Sequence, residues 1–121
     1  MALKKLFQSV EEQESFSAGD YIFREGETGT VMYGVSEGEV DITLAGKVLE
    51  TVGPGGMVGE MALIDDKERS AAVVAKTDCR LAPINKECFT FLVQETPYFA
   101  LEVMRVMADR LRRMDKILRS S

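Results

Sequence analysis

Residues 53–64 decide the fold of this chain. They read Gly53-Pro-Gly-Gly-Met-Val-Gly-Glu-Met-Ala-Leu-Ile64, and Arg69-Ser70-Ala71-Ala72 follows after a short gap. Four glycines in seven positions favour a tight, open loop, because glycine adopts positive φ and lets a ligand approach the backbone closely. The residues from Glu60 to Ile64 have the composition of one short helical turn. The first N–H groups of such a turn are unpaired and suit a bound anion.

Three side chains around this loop fit different parts of one ligand. Arg69 supplies a planar fork of donors that matches phosphate oxygens, and Ser70 adds a hydroxyl beside it. Glu60 would repel a phosphate, so we expect it to accept hydrogen bonds from sugar hydroxyls. A ligand that carries both a phosphate and a ribose hydroxyl is a nucleotide. The alternative is an ordinary turn in which Arg69 pairs with Asp65 or Asp66 on the surface.

The spacing of these motifs resembles the phosphate-binding cassette of the cyclic nucleotide-binding domain family. Gly59-Glu60-Met61-Ala62-Leu63 and Arg69-Ser70-Ala71 carry the resemblance, with eight residues between Glu60 and Arg69. Upstream, Gly19-Asp-Tyr-Ile-Phe-Arg-Glu-Gly26 and Met32-Tyr-Gly-Val-Ser-Glu-Gly38 are similar to the family's first strands and turns.

The resemblance implies a sensor or regulatory domain that binds a cyclic nucleotide, with cyclic AMP (cAMP) preferred to cyclic GMP (cGMP). It assigns the cyclic phosphate to Arg69, Ser70 and the backbone around Ala62, and the ribose 2′-hydroxyl to Glu60. The resemblance also implies an apolar wall under the base, formed by Val48 and Leu49, and a lid formed by Met114 and Asp115. The remaining ligand-binding residues that it implies are Gly59, Glu60, Met61, Ala62, Arg69, Ser70 and Ala71.

The two lid residues depart from the family pattern, which leaves the choice of base open. Some members present adjacent Thr and Ser to the base where this chain has Met114 and Asp115. The Asp115 carboxylate would accept from the neighbouring N1–H and N2–H₂ donors of guanine, and the Ser70 hydroxyl would reach its 2-amino group. The alternative is that Asp115 pairs with Arg112 or Arg119 along its own helix.

Composition argues against an enzyme, a metal protein and a membrane protein. The chain has 121 residues, and none of its apolar runs approaches the ~20 residues that span a bilayer. It contains no histidine, so the usual activator of a nucleophile and a common metal ligand are missing. We expect no catalytic residues, no metal site and no cofactor. Cys79 and Cys88 lack CxxC spacing and indicate reduced thiols in a cytoplasmic protein.

The charge distribution argues against direct nucleic-acid binding. The net charge is −5 and the sequence pI is about 4.8, whereas nucleic-acid binding normally needs a basic face. Residues 102–121 carry six Lys or Arg and three acids. We interpret this mildly basic end as a solvated helix face rather than as a surface for nucleic acid or membrane.

The pattern upstream and downstream of the cassette predicts an all-β sandwich or roll. All ten glycines fall between Gly19 and Gly59, where they separate short runs of β-forming residues. Pro83 predicts that the last run is an edge strand or ends there. We expect a mainly β fold with flanking helices, an antiparallel β-roll of the double-stranded β-helix, jelly-roll-like kind. The predicted strands are 21–23, 30–35, 40–44, 48–52, 71–75 and 80–84.

The chain is predicted to be one domain, 1–121, in three parts. A short amphipathic helix lies in an N-terminal helical segment, 1–15, because apolar residues recur there at helical spacing. The β-roll follows over 16–84 and includes the cassette at 53–72. From 85 onward the period is helical, with Asn85 as a cap and a second helix opening at Pro97.

A heptad repeat marks the long last helix. Its apolar positions are spaced 4-3-4-3-4, which is typical of a coiled-coil seam. The resemblance implies a homodimer through this helix, and the alternative is that the stripe packs wholly within its own domain. We expect ligand occupancy to shift this helix and to signal to a downstream effector that the sequence does not identify. The alternative is a ligand-free interaction module that dimerises through the helix. The chain is either a stand-alone sensor or a piece of a longer protein. The seam residues are Ala100, Met104, Met107, Leu111, Met114 and Leu118.

Overall fold

The computed structural model describes residues 3–65 and 67–119. It divides the chain into two compact units, the first reaching residue 86 and the second starting at residue 87. This division lies two residues after the predicted end of the β-roll at 84. The prediction that 1–121 forms one domain stays a prediction.

The described residues of the first unit form eight strands in two four-stranded antiparallel sheets. This confirms the predicted mainly β fold of antiparallel strands, although the sequence predicted only six of the strands. The strand order is β1-β8-β3-β6 in one sheet and β2-β7-β4-β5 in the other. The elements of this unit, in chain order, are α1 Leu3–Gln8, β1 Glu14–Phe16, β2 Tyr21–Phe23, β3 Met32–Glu37, β4 Val40–Leu44, β5 Lys47–Val52, β6 Met57–Val58, a 3₁₀ helix Glu60–Leu63, β7 Ala72–Ala75 and β8 Cys79–Ile84.

The core of this unit consists of side chains from both sheets. Most are β-branched valines, which pack well on a pleated surface and are stiff at χ1. Full burial of each stabilises the fold by about 1.5–3 kcal/mol relative to exposure. The buried cluster comprises Phe23, Val35, Val40, Val52, Val58, Val73, Ala75, Cys79 and Leu81.

Helix α1 packs on β3 through a close contact between Phe7 and Gly34 and through hydrogen bonds of the Gln13 side chain. A Cβ atom on Gly34 would overlap the ring of Phe7, which is fully buried, so only glycine fits at this strand position. The Gln13 side-chain amide donates to the carbonyl oxygens of Phe7 at 2.9 Å and Val10 at 2.8 Å. Its oxygen accepts from the Ser36 hydroxyl at 2.7 Å.

Three details of the sequence interpretation need correction. The helical segment 1–15 is wrong at its end, since α1 stops at Gln8 and β1 begins at Glu14. Strand β6 was not predicted, because two residues between glycines carry no periodicity. Strand β8 lies between β1 and β3, so Pro83 does not mark an edge strand. Pro83 is the penultimate residue of β8, which confirms the alternative prediction that the strand ends at this proline.

The second unit consists mainly of two helices, α2 Lys86–Glu95 and α3 Tyr98–Arg119. Helix α2 begins directly after Asn85, as the sequence predicted, and α3 begins one residue after its predicted start at Pro97. The rings of Phe89 and Phe99 meet across the turn between the helices, with centroids 5.5 Å apart. In the ranges that the structure describes, neither these helices nor α1 is long and apolar enough to cross a membrane.

Candidate ligand-binding site

Gly59 directs the chain from β6 into the 3₁₀ helix. Its φ is 73°, in the left-handed region that L-residues avoid. A Cβ atom there would lie 2.7 Å from Nη1 of Arg69 and 3.2 Å from Cε2 of Phe23. The residue must therefore be glycine both for its backbone conformation and for the side chains packed against it.

The Arg69 side chain is buried against this turn, with 8% of its surface exposed. Its Nη2 donates to the carbonyl oxygen of Val31 at 2.8 Å and its Nη1 to that of Gly59 at 3.3 Å. The guanidinium carbon lies 4.0 Å from the centre of the Phe23 ring. Its Nε–H is buried and has no hydrogen-bond partner among the described residues.

The surroundings of Arg69 act on its charge in opposite directions. Burial lowers the pKa of its guanidinium, while Tyr33, Glu27 and Glu60 act to raise it. Arginine stays protonated at neutral pH in either case. A buried, charged donor without a partner costs on the order of 1–3 kcal/mol or more. An anion that accepted from Nε would remove this cost.

Glu60 is the second buried charged residue at the turn, with 6% of its surface exposed. It is the first residue of the 3₁₀ helix, directly after Gly59. The neighbouring Ala62 is also buried, and its N–H donates to the carbonyl oxygen of Gly59 at 3.1 Å. The structure therefore places Glu60, Ala62 and Arg69 around one glycine turn, as the cassette motif predicted.

The remaining cassette residues lie on the outside of this turn. Met61 is 48% exposed, Ser70 is exposed and Ala71 is partly buried. The Ser70 hydroxyl directly follows the buried Arg69 in the chain, so it is accessible to a ligand from solvent. The alternative prediction that Arg69 pairs with a surface acid does not fit its burial. Asp66 lies outside the described residues.

Val48 and Leu49, the predicted wall under the base, lie on β5. The pairing of β4 with β5 shifts between Ile42, opposite Glu50, and Thr43, opposite Val48. Leu49 is therefore the extra residue of a bulge, which re-aims side chains locally. Val48 is 57% exposed and Leu49 41%, so both present apolar surface. Their contact with a base stays a prediction.

Met114 and Asp115, the predicted lid residues, lie on α3 in the second unit. Met114 is exposed. The Asp115 carboxylate forms an ion pair with Arg119, in which Oδ2 lies 3.2 Å from Nε. This is one of the two pairings that the sequence offered as the alternative to a base contact, while Arg112 pairs with Asp109 instead at 2.9 Å. The role of both residues towards a ligand stays a prediction.

Sequence reasoning missed three residues that hold the Arg69 side chain. These are Phe23, whose ring lies under the guanidinium, Val31, whose carbonyl accepts from it, and Gly29. A Cβ atom on Gly29 would overlap the guanidinium group. The signal for Gly29 was its place in a glycine-bounded loop between strands, but no local pattern links it to Arg69.

The described residues contain no group of three His, Cys, Asp or Glu side chains that could hold a metal ion. At the glycine turn Glu60 supplies a buried carboxylate and Arg69 a buried guanidinium. Such a pair can bind a ligand that has an anionic group beside a hydroxyl donor.

Sequence comparison finds a matching family model and similar proteins. A family model described as the cyclic nucleotide-binding domain matches residues 13–96. The cyclic AMP receptor protein of Thermus thermophilus is 35% identical over 105 residues, which cover 83% of this chain and 49% of that protein. A cGMP-dependent protein kinase of Drosophila melanogaster is 31% identical over 81 residues, which cover 67% of this chain and 7% of the kinase.

A solved structure extends the likeness to the fold. The crystal structure of the Thermus thermophilus catabolite activator protein superposes with a TM-score of 0.77 at 32% identity, covering 96% of this chain and 55% of that one. This chain spans about half or less of the length of the two curated relatives. The family match covers well over half of this chain, and the chain belongs to the cyclic nucleotide-binding domain family.

Proposed function

We propose that this chain is a non-enzymatic, cytoplasmic sensor domain that binds a cyclic nucleotide, with cyclic AMP preferred to cyclic GMP. One observation carries the proposal. The Arg69 guanidinium is buried and charged, its Nε–H has no hydrogen-bond partner among the described residues, and the buried Glu60 acts on its charge. A cyclic phosphate would accept from Arg69, and a ribose hydroxyl on the same ligand would donate to Glu60.

The phosphate contacts follow from the glycine turn. Arg69 supplies the charge, the Ser70 hydroxyl adds a donor, and the backbone around Ala62 lies in the first turn of the 3₁₀ helix. Gly59 lets the ligand approach that backbone closely, because it has no side chain. Met61 and Ala71 flank these groups and complete the cassette.

The preference for cyclic AMP rests on the base side of the site. Val48 and Leu49 would offer the base an apolar wall without a polar group that selects guanine. The bacterial relative is named as a cyclic AMP receptor, and the kinase relative as cGMP-dependent, so both ligands occur among similar proteins. On α3, Met114 would cover the base and Asp115 would decide any contact with guanine.

The experiment that tests the proposal is Arg69→Ala, followed by calorimetric titration with cyclic AMP. Loss of a charge-assisted contact in a dehydrated site should cost about 2–3 kcal/mol, or roughly 30–150-fold in affinity. Arg69→Lys should restore the affinity only in part, since an ammonium cannot imitate the fork. Arg80→Ala is the matched control, because Arg80 is exposed and pairs with Glu37 at 3.8 Å. Unchanged affinity in Arg69→Ala would contradict the proposal.

The rival function is a ligand-free interaction module, and thermal unfolding separates the two. A ligand that binds only the folded state stabilises it by mass action, by about 2.7 kcal/mol at one hundred times Kd. Cyclic AMP should therefore raise the Tm of the wild type, and adenosine, which lacks the phosphate, should raise it far less. A Tm that no cyclic nucleotide changes would favour the rival.

We further propose that the chain forms a homodimer through α3 and that ligand occupancy biases this helix towards one of two positions. Four of the six seam residues are largely exposed, namely Met104, Leu111, Met114 and Leu118. Several of them line a shallow groove of ≈ 480 Å³ along the helix. An apolar stripe at heptad spacing is the surface that a second copy would cover.

Leu111→Glu tests the dimer. In a dimer the new carboxylate would face its symmetry mate at low dielectric, so the variant should sediment as a monomer at concentrations where the wild type is dimeric. Phe91→Glu is the control, because Phe91 is similarly exposed but lies on α2, away from the seam. A wild type that is monomeric at every accessible concentration would overturn the dimer and leave nucleotide binding untouched.

A further inference from the structure

We infer that Phe23 is a positioning residue for the ligand. Its ring face holds the Arg69 guanidinium in one orientation and leaves the Nε–H for the cyclic phosphate. The inference rests on the proposed function, because it concerns the same site. The guanidinium carbon lies 4.0 Å from the centre of the Phe23 ring, which is the geometry of a cation–π contact.

The Phe23 ring is itself held firmly. Phe23 is the last residue of β2, pairs with Val73 of β7 and is 9% exposed. Its ring is nearly parallel to that of Tyr33, with an interplanar angle of 27° and centroids 6.3 Å apart. Because strand pairing and stacking fix the ring, the ring in turn fixes the plane of the cation that lies on it.

Two glycines confine the guanidinium from other directions. Gly29 approaches it so closely that a Cβ atom would overlap the group, and a Cβ atom on Gly59 would lie 2.7 Å from Nη1. The two terminal nitrogens donate to backbone carbonyls of Val31 and Gly59. With the plane and both ends of the guanidinium held, its buried Nε–H is a donor that has no hydrogen-bond partner among the described residues.

The chemistry of the partner explains why an aromatic ring suits this position. A buried cation needs compensation for lost hydration, and burial lowers the pKa of Arg69. A carboxylate in direct contact would compensate it but would also compete with a phosphate. The electron-rich face of a ring attracts the cation without taking up an N–H donor and without neutralising it. The positive charge therefore stays available to the ligand.

Phe23→Leu tests this inference, since leucine keeps most of the apolar volume and removes the ring face. We expect a roughly 3- to 30-fold loss of affinity for cyclic AMP, measured by calorimetry on protein verified as folded by its Tm. Phe23→Tyr keeps the ring and should restore most of the affinity. Phe16→Leu is the matched control, because Phe16 packs against the same core, whereas the ring under the Arg69 guanidinium is that of Phe23.

A double-mutant cycle decides whether the effect passes through Arg69. In an Arg69→Ala background, Phe23→Leu should change cyclic AMP affinity by less than about twofold, because the group it positions is gone. An equal loss in both backgrounds, or no loss in Phe23→Leu alone, would overturn the inference and leave the proposed function standing. The proposed function itself fails if Arg69→Ala binds cyclic AMP as the wild type does, or if no cyclic nucleotide raises the Tm of the wild type.

Discussion

The two units of this chain differ in how completely each buries its own apolar residues. Of the nineteen buried hydrophobic residues in the described parts of the chain, sixteen lie in the first unit. The second unit is much shorter, yet it contains eight of the thirteen large hydrophobic residues that are exposed. The first unit therefore builds a core of its own, while α3 carries an apolar stripe for something else to cover.

The charged residues follow the same division. The first unit buries Glu60 and Arg69 at one glycine turn. In the described part of the second unit, ion pairs such as Arg105 with Glu102 at 2.8 Å lie on helix surfaces. Exposed pairs of this kind contribute little to stability. The two charged residues at the glycine turn are buried, whereas ion pairs of this kind on the helices are exposed.

The largest effect that this comparison predicts is on stability. Phe7→Ala in the first unit should lower the free energy of unfolding by about 3–5 kcal/mol, because it leaves a cavity against Gly34. Phe91→Ala in the second unit should cost about 0.5 kcal/mol or less, since Phe91 is 58% exposed. Urea denaturation of both variants measures the difference. Similar losses of unfolding free energy at the two positions would contradict the proposed difference between the units.

The two cysteines allow the burial of the two units to be compared by thiol reactivity. Cys79 is in the core of the first unit and Cys88 is partly buried in the second. Burial raises the pKa of both thiols, so the reactive thiolate is scarce at neutral pH. We expect iodoacetamide to modify Cys79 at least about tenfold more slowly than Cys88, because reaction at Cys79 requires opening of the core. Mass spectrometry of a time course gives both rates, and equal rates would contradict the prediction.

The raised pKa values of the two thiols also predict how the stability of the fold changes with pH. A thiol whose pKa is raised by folding is favoured in its neutral form by the folded state. Its contribution to stability is complete below the pKa of the unfolded thiol and is lost as pH rises through the folded-state pKa. Stability should therefore fall at alkaline pH, and Cys79→Ala should reduce that fall.

How far the sequence predicts this molecule depends on whether the signal is local. The glycine turn with Glu60 and Arg69 was predicted because its residues lie within ten positions of one another. The contact of Arg69 with Val31 was not, since 38 positions separate them. The helix seam was predicted from periodicity, but periodicity does not say what covers it.

Other misses have the same cause. Strand β1, Glu14–Phe16, has no strand-like pattern and exists because it pairs with Cys79, Arg80 and Leu81 of β8. The bulge at Leu49 comes from a shift in pairing between β4 and β5, which no single strand reveals. Tertiary pairing decides such details after local preference has decided the strands.

A smaller effect is expected at the hairpin between β4 and β5. Ala45 has φ of 51° and Gly46 has φ of 79°, so both loop residues are left-handed. That conformation costs an ordinary L-residue about 1–2 kcal/mol, and asparagine tolerates it better than alanine. Ala45→Asn should stabilise the first unit by about 0.5–1 kcal/mol in urea denaturation, whereas Ala45→Val should destabilise it. A loss of stability in Ala45→Asn would show that the turn is not strained.

The smallest effect concerns Asp115, where the second unit would discriminate between bases. Its ion pair with Arg119 is exposed and worth only about 0.2–0.5 kcal/mol, so release of the carboxylate towards a guanine edge costs little. If it accepts from N1–H and N2–H₂, Asp115→Ala should weaken cyclic GMP binding roughly two- to fivefold and leave cyclic AMP binding unchanged. Asp109→Ala, which removes a comparable pair with Arg112, is the control. Parallel titrations of both nucleotides into wild type and variants give the ratio of affinities. The ratio cancels any effect on folding or assembly that both ligands share, so an unchanged ratio would mean that Asp115 never touches the base.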